Sequence, residues 1–67
     1  MRKPTFAALL LRERTRAALT AAALATAAGL SREAIRLYEN GARSPTWDAV
    51  QRLATALGIS TDTFRDQ

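Results

Sequence analysis

Four hydroxyl residues along this chain, each after a large apolar residue or proline, are followed four positions later by another large apolar side chain at the start of a helical pattern. The pairs are Leu19 with Leu24 around Thr20, Leu30 with Ile35 around Ser31, Ile59 with Phe64 around Ser60 and, more weakly, Pro45 with Val50 around Thr46. Each is the signature of a helix N-terminus. The hydroxyl accepts an otherwise orphaned backbone N–H, and the residue before it packs on the fourth helical residue. Repeated agreement of cap and staple is hard to obtain by chance, and it commits the chain to short helices.

Pro4, Gly29, Gly41, Pro45 and Gly58 set the remaining boundaries. Between them apolar residues recur at helical spacing, with no strand-like alternation. The first segment, about Thr5 to Arg16, places Phe6, Leu9, Leu10 and Ala17 on one face and Arg12, Glu13 and Arg16 opposite. A second helix runs from the Thr20 cap to Ala28 and ends at Gly29. Ser31 caps a third, Arg32 to Glu39, with Ile35 and Tyr38 inward and Asn40-Gly41 closing it. Thr46 caps a fourth, with Trp47, Val50, Leu53, Ala54 and Leu57 along one stripe, and Ser60 caps a last turn containing Phe64. The expectation is an all-α fold of five short helices forming a single domain over residues 1–67.

Composition narrows the chemistry. The 67 residues contain no cysteine and no histidine, which removes disulfides, thiol nucleophiles and imidazole acid–base chemistry. No catalytic residue, metal or cofactor is expected. Ten Lys and Arg against six Asp and Glu give +4, and nine of the ten cations are Arg. A planar guanidinium fork binds phosphate and guanine bidentately, so the balance points to an anionic polymer. The stretch Ala17 to Ala28 behind Arg12, Arg14 and Arg16 superficially suggests a targeting peptide. Its uncharged window ends at Ser31, short of the roughly 20 residues of a membrane span, and is mostly Ala and Thr. A cytoplasmic protein with no membrane partner is expected.

The informative stretch is Ala21 to Asn40, AAALATAAGLSREAIRLYEN. Two helices of about eight residues meet at a tight turn containing Gly29, the layout of a helix-turn-helix over about residues 20–40. Close helix approach wants a small residue at Ala25, and the turn wants glycine where a Cβ would clash at positive φ. Leu24, Ala28, Leu30, Ile35 and Tyr38 then point inward.

At these residues the chain resembles the Cro/C1-type (lambda-repressor-like, XRE) helix-turn-helix family, from about Phe6 to Phe64. The matching pieces are LTAAALATAAGLS, AIRLYENG and SPTWDAVQRLATALGIS. The resemblance implies that Ala21 to Ala28 positions the motif and that Ser31 to Glu39 is a recognition helix in the DNA major groove. It implies a partly buried ion pair between Arg14 on the first helix and Glu39 before Asn-Gly. It also exposes a departure: Ala21 stands where the family usually has a Gln contacting a phosphate, although the helix N-terminus at Thr20 still offers free N–H groups.

Within that frame Arg32, Glu33, Arg36 and Leu37 are the candidate base contacts. Arg32 suits guanine O6 and N7. Glu33 either accepts from cytosine N4, orients Arg32, or only supplies charge near the helix N-terminus. Arg36 suits a base or a phosphate, and Leu37 faces either a thymine methyl group or a neighbouring loop. Thr20, Ala21, Ser31, Arg43 and Ser44 are the candidate phosphate contacts. Trp47 is assigned to the core with Tyr38 and Phe6. The cations Arg2, Lys3, Arg12 and Arg16 either reach flanking phosphates or form a solvated face.

One such module buries only about 600–1,000 Å² on DNA. A homodimer on double-stranded DNA is therefore expected, with Leu57, Ile59 and Phe64 as the candidate dimer surface. The functional expectation is a sequence-specific transcriptional regulator, a bacterial or phage repressor. The alternative is an antitoxin-like or other protein-interaction module with a protein partner and secondary DNA binding.

Overall fold

A computed structural model describes residues 4–65. Every element in it begins at a hydroxyl. Thr5 caps α1 (Phe6–Arg16), Thr20 caps α2 (Ala21–Ala28), Ser31 caps α3 (Arg32–Glu39) and Thr46 caps α4 (Trp47–Leu57). In each, the cap's side-chain oxygen accepts the N–H three residues on, at 3.0–3.1 Å. Ser60 opens the last element, Thr61–Phe64, which is a four-residue 3₁₀ turn rather than a fifth α-helix. Four residues are too few for a stable α-helical segment, and 3₁₀ geometry is usual at that length.

The C-termini share a second device. Gly29 and Gly58 both lie at φ 70°, in the left-handed region, where their N–H groups close the last turn. At Gly29 this reverses the chain between α2 and α3, and a Cβ there would also meet Arg52 Nη1 at 3.0 Å. The end of α1 makes the same reversal without glycine. Ala18 takes φ 60°, and Leu19 N–H donates back to the Arg14 carbonyl at 3.2 Å.

Each α-helix places one fully buried large side chain in the centre: Leu10, Leu24, Ile35 and Leu53. Ala25, Ala28, Ala34, Ala49 and Ala54 fill the same cluster, and their small size lets the backbones of α2, α3 and α4 approach closely. Phe6 closes the far end, edge-on to Tyr38 with ring centroids 6.1 Å apart and tilted against Phe64 at 5.1 Å. Phe64 is thereby part of the core, whereas Leu57 and Ile59 are only half-buried.

Three sequence expectations are overturned. Trp47 is 58% exposed and outside the core. The buried arc of α4 is Ala49, Leu53 and Ala54, and a side chain on the first helical residue leans back past the N-terminus, off the end of that arc. Glu13 is buried on the same side as Leu9 rather than opposite it. Four residues of helix turn about 400°, which returns Glu13 almost to the azimuth of Leu9. Ala17 caps α1 and is exposed. Glu13 tolerates burial because Arg12 donates to Oε2 at 3.0 and 3.2 Å and Arg16 lies 3.7 Å from Oε1. Among the described residues no buried side-chain nitrogen or oxygen lacks a partner.

Ala18 carries a removable strain. A non-glycine residue in the left-handed region costs about 1–2 kcal/mol, while glycine adds about 0.4–1 kcal/mol of unfolded-state entropy. Ala18→Gly is therefore expected to stabilise the fold by about 0.5–1 kcal/mol, seen as a rise of a few degrees in the thermal midpoint by circular dichroism. A fall would show that the turn is not strained.

Candidate nucleic-acid interface

The helix α3 is two-faced. Ala34, Ile35 and Tyr38 are buried, while Arg32, Glu33 and Arg36 are exposed. The exposed set lies on one side because residues three and four apart on a helix are neighbours. Leu37 is half-buried, and its carbonyl accepts N–H groups from Ala42 at 3.0 Å and Arg43 at 3.3 Å, tying the following loop to the helix end. Asn40 Oδ1 accepts from Ala42 N–H at 3.0 Å and shapes the same loop. Arg43 and Ser44 are exposed on it.

Glu33 is paired with Arg36, not with the adjacent Arg32. Arg36 Nε donates to Oε1 at 3.0 Å and Nη2 to Oε2 at 2.6 Å. Adjacent helical residues diverge by about 100°, whereas positions i and i+3 converge. The hydrogen bond from Arg36, with help from the charges of Arg36, Arg43 and Arg32, holds the Glu33 carboxyl below the usual glutamate range. Those same charges place Glu33 at the electrostatic centre of the exposed arginines.

Two further groups flank this face. Thr20 and Ser31 use a hydroxyl lone pair for capping, which leaves each O–H free to donate elsewhere. The first-turn N–H groups of Ala21 and Ala22 have no intrahelical acceptor, as at any helix start. Ala21 itself is half-buried, so a contact there runs through its backbone.

Behind the face, Arg14 reaches from α1 to the end of α3. Its Nε and Nη2 donate to Glu39 Oε2 and Oε1 at 2.5 and 3.0 Å, and its Nη1 donates to the Leu19 carbonyl at 2.8 Å. The two side chains are 19% and 13% exposed. Hydrogen bonding to Glu39 raises the already high Arg14 pKa against the opposing effect of burial, so Arg14 is charged throughout the working pH range. The fork joins α1, the α1–α2 connection and the last residue of α3. Of the other basic residues, Arg12 and Arg16 are engaged with Glu13, and Arg2 and Lys3 lie outside the described residues. Among the described residues no helix is long and apolar enough to cross a membrane.

Sequence reasoning missed Trp47 as a surface residue beside the Arg43–Ser44 loop, because an apolar stripe carries no mark of where the packing stops. The Glu33–Arg36 pair follows from an i, i+3 spacing of opposite charges and replaces the contact to Arg32 that the sequence alone offers for Glu33.

Two helices joined through a left-handed glycine, the second carrying an exposed polar face and an Arg–Glu clasp at its end, define a helix-turn-helix protein of the lambda-repressor-like, all-helical fold. A helix-turn-helix domain family matches residues 5–67, nearly the whole chain, and the protein belongs to it as a Cro/C1-type member. Among solved structures, the restriction-modification controller protein C.AhdI from Aeromonas hydrophila is 32% identical with a TM-score of 0.87, the match covering 90% of this chain and 91% of that one. The DNA-binding domain of the P22 c2 repressor is 25% identical with a TM-score of 0.91, over 96% of this chain and 84% of that one. The P22 c2 repressor protein solved with a synthetic operator, 24% identical with a TM-score of 0.84 over 91% of this chain and 92% of that one, shares the fold. Among curated proteins no sequence matches significantly.

The interface yields two expectations. Arg14→Met leaves the Glu39 carboxylate largely buried without its partner, and about 2 kcal/mol of stability is expected to be lost in urea denaturation, less than the ~3–5 kcal/mol of a fully buried pair. Arg14→Lys should recover only part of it, because an ammonium cannot reproduce the two-pronged bond. The second concerns pH. A carboxyl whose folded pKa is depressed contributes stability that is complete above its unfolded pKa and fades as pH falls through the folded one. Glu33, followed by carboxyl-carbon NMR, should therefore titrate below the usual glutamate range, and Arg36→Ala should return it there.

Proposed function

We propose that this chain is a DNA-binding transcriptional regulator that reads duplex DNA with α3 in the major groove. The observation that carries the reading is the division of α3 into a buried apolar side and an exposed side bearing Arg32, Glu33 and Arg36. A helix of this width fits the major groove, where each base pair displays a distinct donor and acceptor pattern. Arg32, Glu33, Arg36 and the exposed part of Leu37 face base edges. Thr20, Ala21, Ser31, Arg43 and Ser44 hold phosphates on either side through hydroxyl, N–H and guanidinium donors. The controller protein at 32% identity and the repressor DNA-binding domain support a regulator rather than an enzyme.

A single module of this size gives too small an interface for tight specific binding, so the working form is a two-fold homodimer on DNA. Leu57 and Ile59 retain apolar surface for that contact, while Phe64 is committed to the core. Repression by occupancy of the operator, in the cytoplasm of a bacterium or phage host, is the simplest outcome for such a protein.

The test is selection of binding sites from a random duplex pool at two salt concentrations. Enrichment of a near-palindromic site with half-sites about 10 bp apart is expected, and Arg32→Ala and Arg36→Ala should each relax particular positions within it. Retention that vanishes at the higher salt with nothing enriched would reduce the interaction to phosphate attraction. Recovery of a protein complex unaffected by those two substitutions would then favour a protein-interaction module.

A further inference from the structure

Among the described residues, the exposed face of α3 and the loop after it carry Arg32, Arg36 and Arg43 and one exposed carboxylate, Glu33. That carboxylate is costly for simple attraction to DNA, because it cancels one of the charges that draw in phosphates. It is also held. Arg36 grips it through Nε and Nη2, at 3.0 and 2.6 Å, although the two side chains are 60% and 62% exposed and nothing else encloses them. The Nε–Nη2 edge is a two-donor fork of the kind arginine uses on guanine O6 and N7. While the pair holds, Arg36 does not present that edge to a base.

What the pair does present is a carboxylate in one orientation. An ionised carboxylate has about four lone-pair positions, and Arg36 uses two of them. The remainder accept from an exocyclic amino group, which cytosine offers at N4 and adenine at N6. Guanine O6 and thymine O4 are acceptors, and either would face a desolvated negative charge. Resting on the reading of α3 as the major-groove helix, we infer that Glu33 is a specificity filter braced by Arg36. At the base it faces it admits cytosine or adenine and refuses guanine or thymine, and Arg36 acts at that position as a positioning residue rather than as a reader.

The experiment is binding-site selection with the wild-type chain, Glu33→Gln, Arg36→Met and the double variant, at one salt concentration, with circular dichroism melting to verify that each is folded. The wild type is expected to show a cytosine or adenine preference in one column of each half-site. Glu33→Gln, whose amide both donates and accepts, should flatten that column about 10-fold or more and leave the other columns unchanged. It should also bind non-cognate duplex several-fold more tightly with a steeper salt dependence, since one opposing charge is gone. Arg36→Met should weaken the same column, and the double variant should flatten it no further than Glu33→Gln alone.

Unchanged columns in Glu33→Gln would overturn the filter. So would equal weakening of every column, the result of a purely structural role, or additive losses in two different columns. A wild-type chain that selects no site overturns both the filter and the regulator reading. One that selects a site which Glu33→Gln selects equally well overturns the filter alone.

Discussion

Eight residues do not hold an α-helix by themselves in water, because the first turn costs more order than so few hydrogen bonds return. The helix on which recognition depends is therefore made by its surroundings. Ile35 is fully buried in one cluster with Leu10, Leu24 and Leu53, one side chain from each helix. Ser31 caps its start, and the Arg14 fork grips Glu39 at its last residue. Apolar burial supplies the larger free energy, whereas the caps and the fork supply direction. They fix where α3 begins, where it ends and which face is left outside.

The same economy of contacts explains the alanines. Among the described residues four large side chains are fully buried, and the core closes around them because Ala25, Ala28, Ala34, Ala49 and Ala54 let the helices come close. Glycine at position 29 belongs to this arrangement. Its left-handed turn leads the chain from α2 into α3, and a Cβ there would sit in tight contact, 3.0 Å, with the Arg52 guanidinium. Charge is handled in a comparable way. Glu13 inside and Glu33 outside are each partnered by arginine within four residues on the same helix, whereas Glu39 is partnered from another helix by Arg14.

Most of the fold was legible in the sequence, and so were the polar residues of the candidate site. Thr20, Ser31, Thr46 and Ser60 announce helix starts, and Gly29 and Gly58 announce ends, because capping and left-handed turns involve atoms only three to five residues apart. The arginines of α3 were legible because their spacing alone puts them on one side of a helix. Burial was less so. The stripe of α4 runs from Trp47 to Leu57 in the sequence, yet only Ala49, Leu53 and Ala54 of this helix are buried, in a cluster to which α2 and the final turn also contribute.

What the sequence by itself determined is the set of helices and their boundaries, since those signals are local hydrogen-bond and steric requirements carried by the residues themselves. Only the tertiary structure decided that Glu13 lies inside, that Trp47 lies outside and that Phe64 completes the core. The pairing of Arg14 with Glu39 across 25 positions was implied by the family resemblance, and the packing of α1 against α3 brings the two side chains into contact. Such outcomes depend on which surfaces other segments bring up, and a side chain's neighbours in space are set by the direction of whole helices rather than by its own stretch of chain.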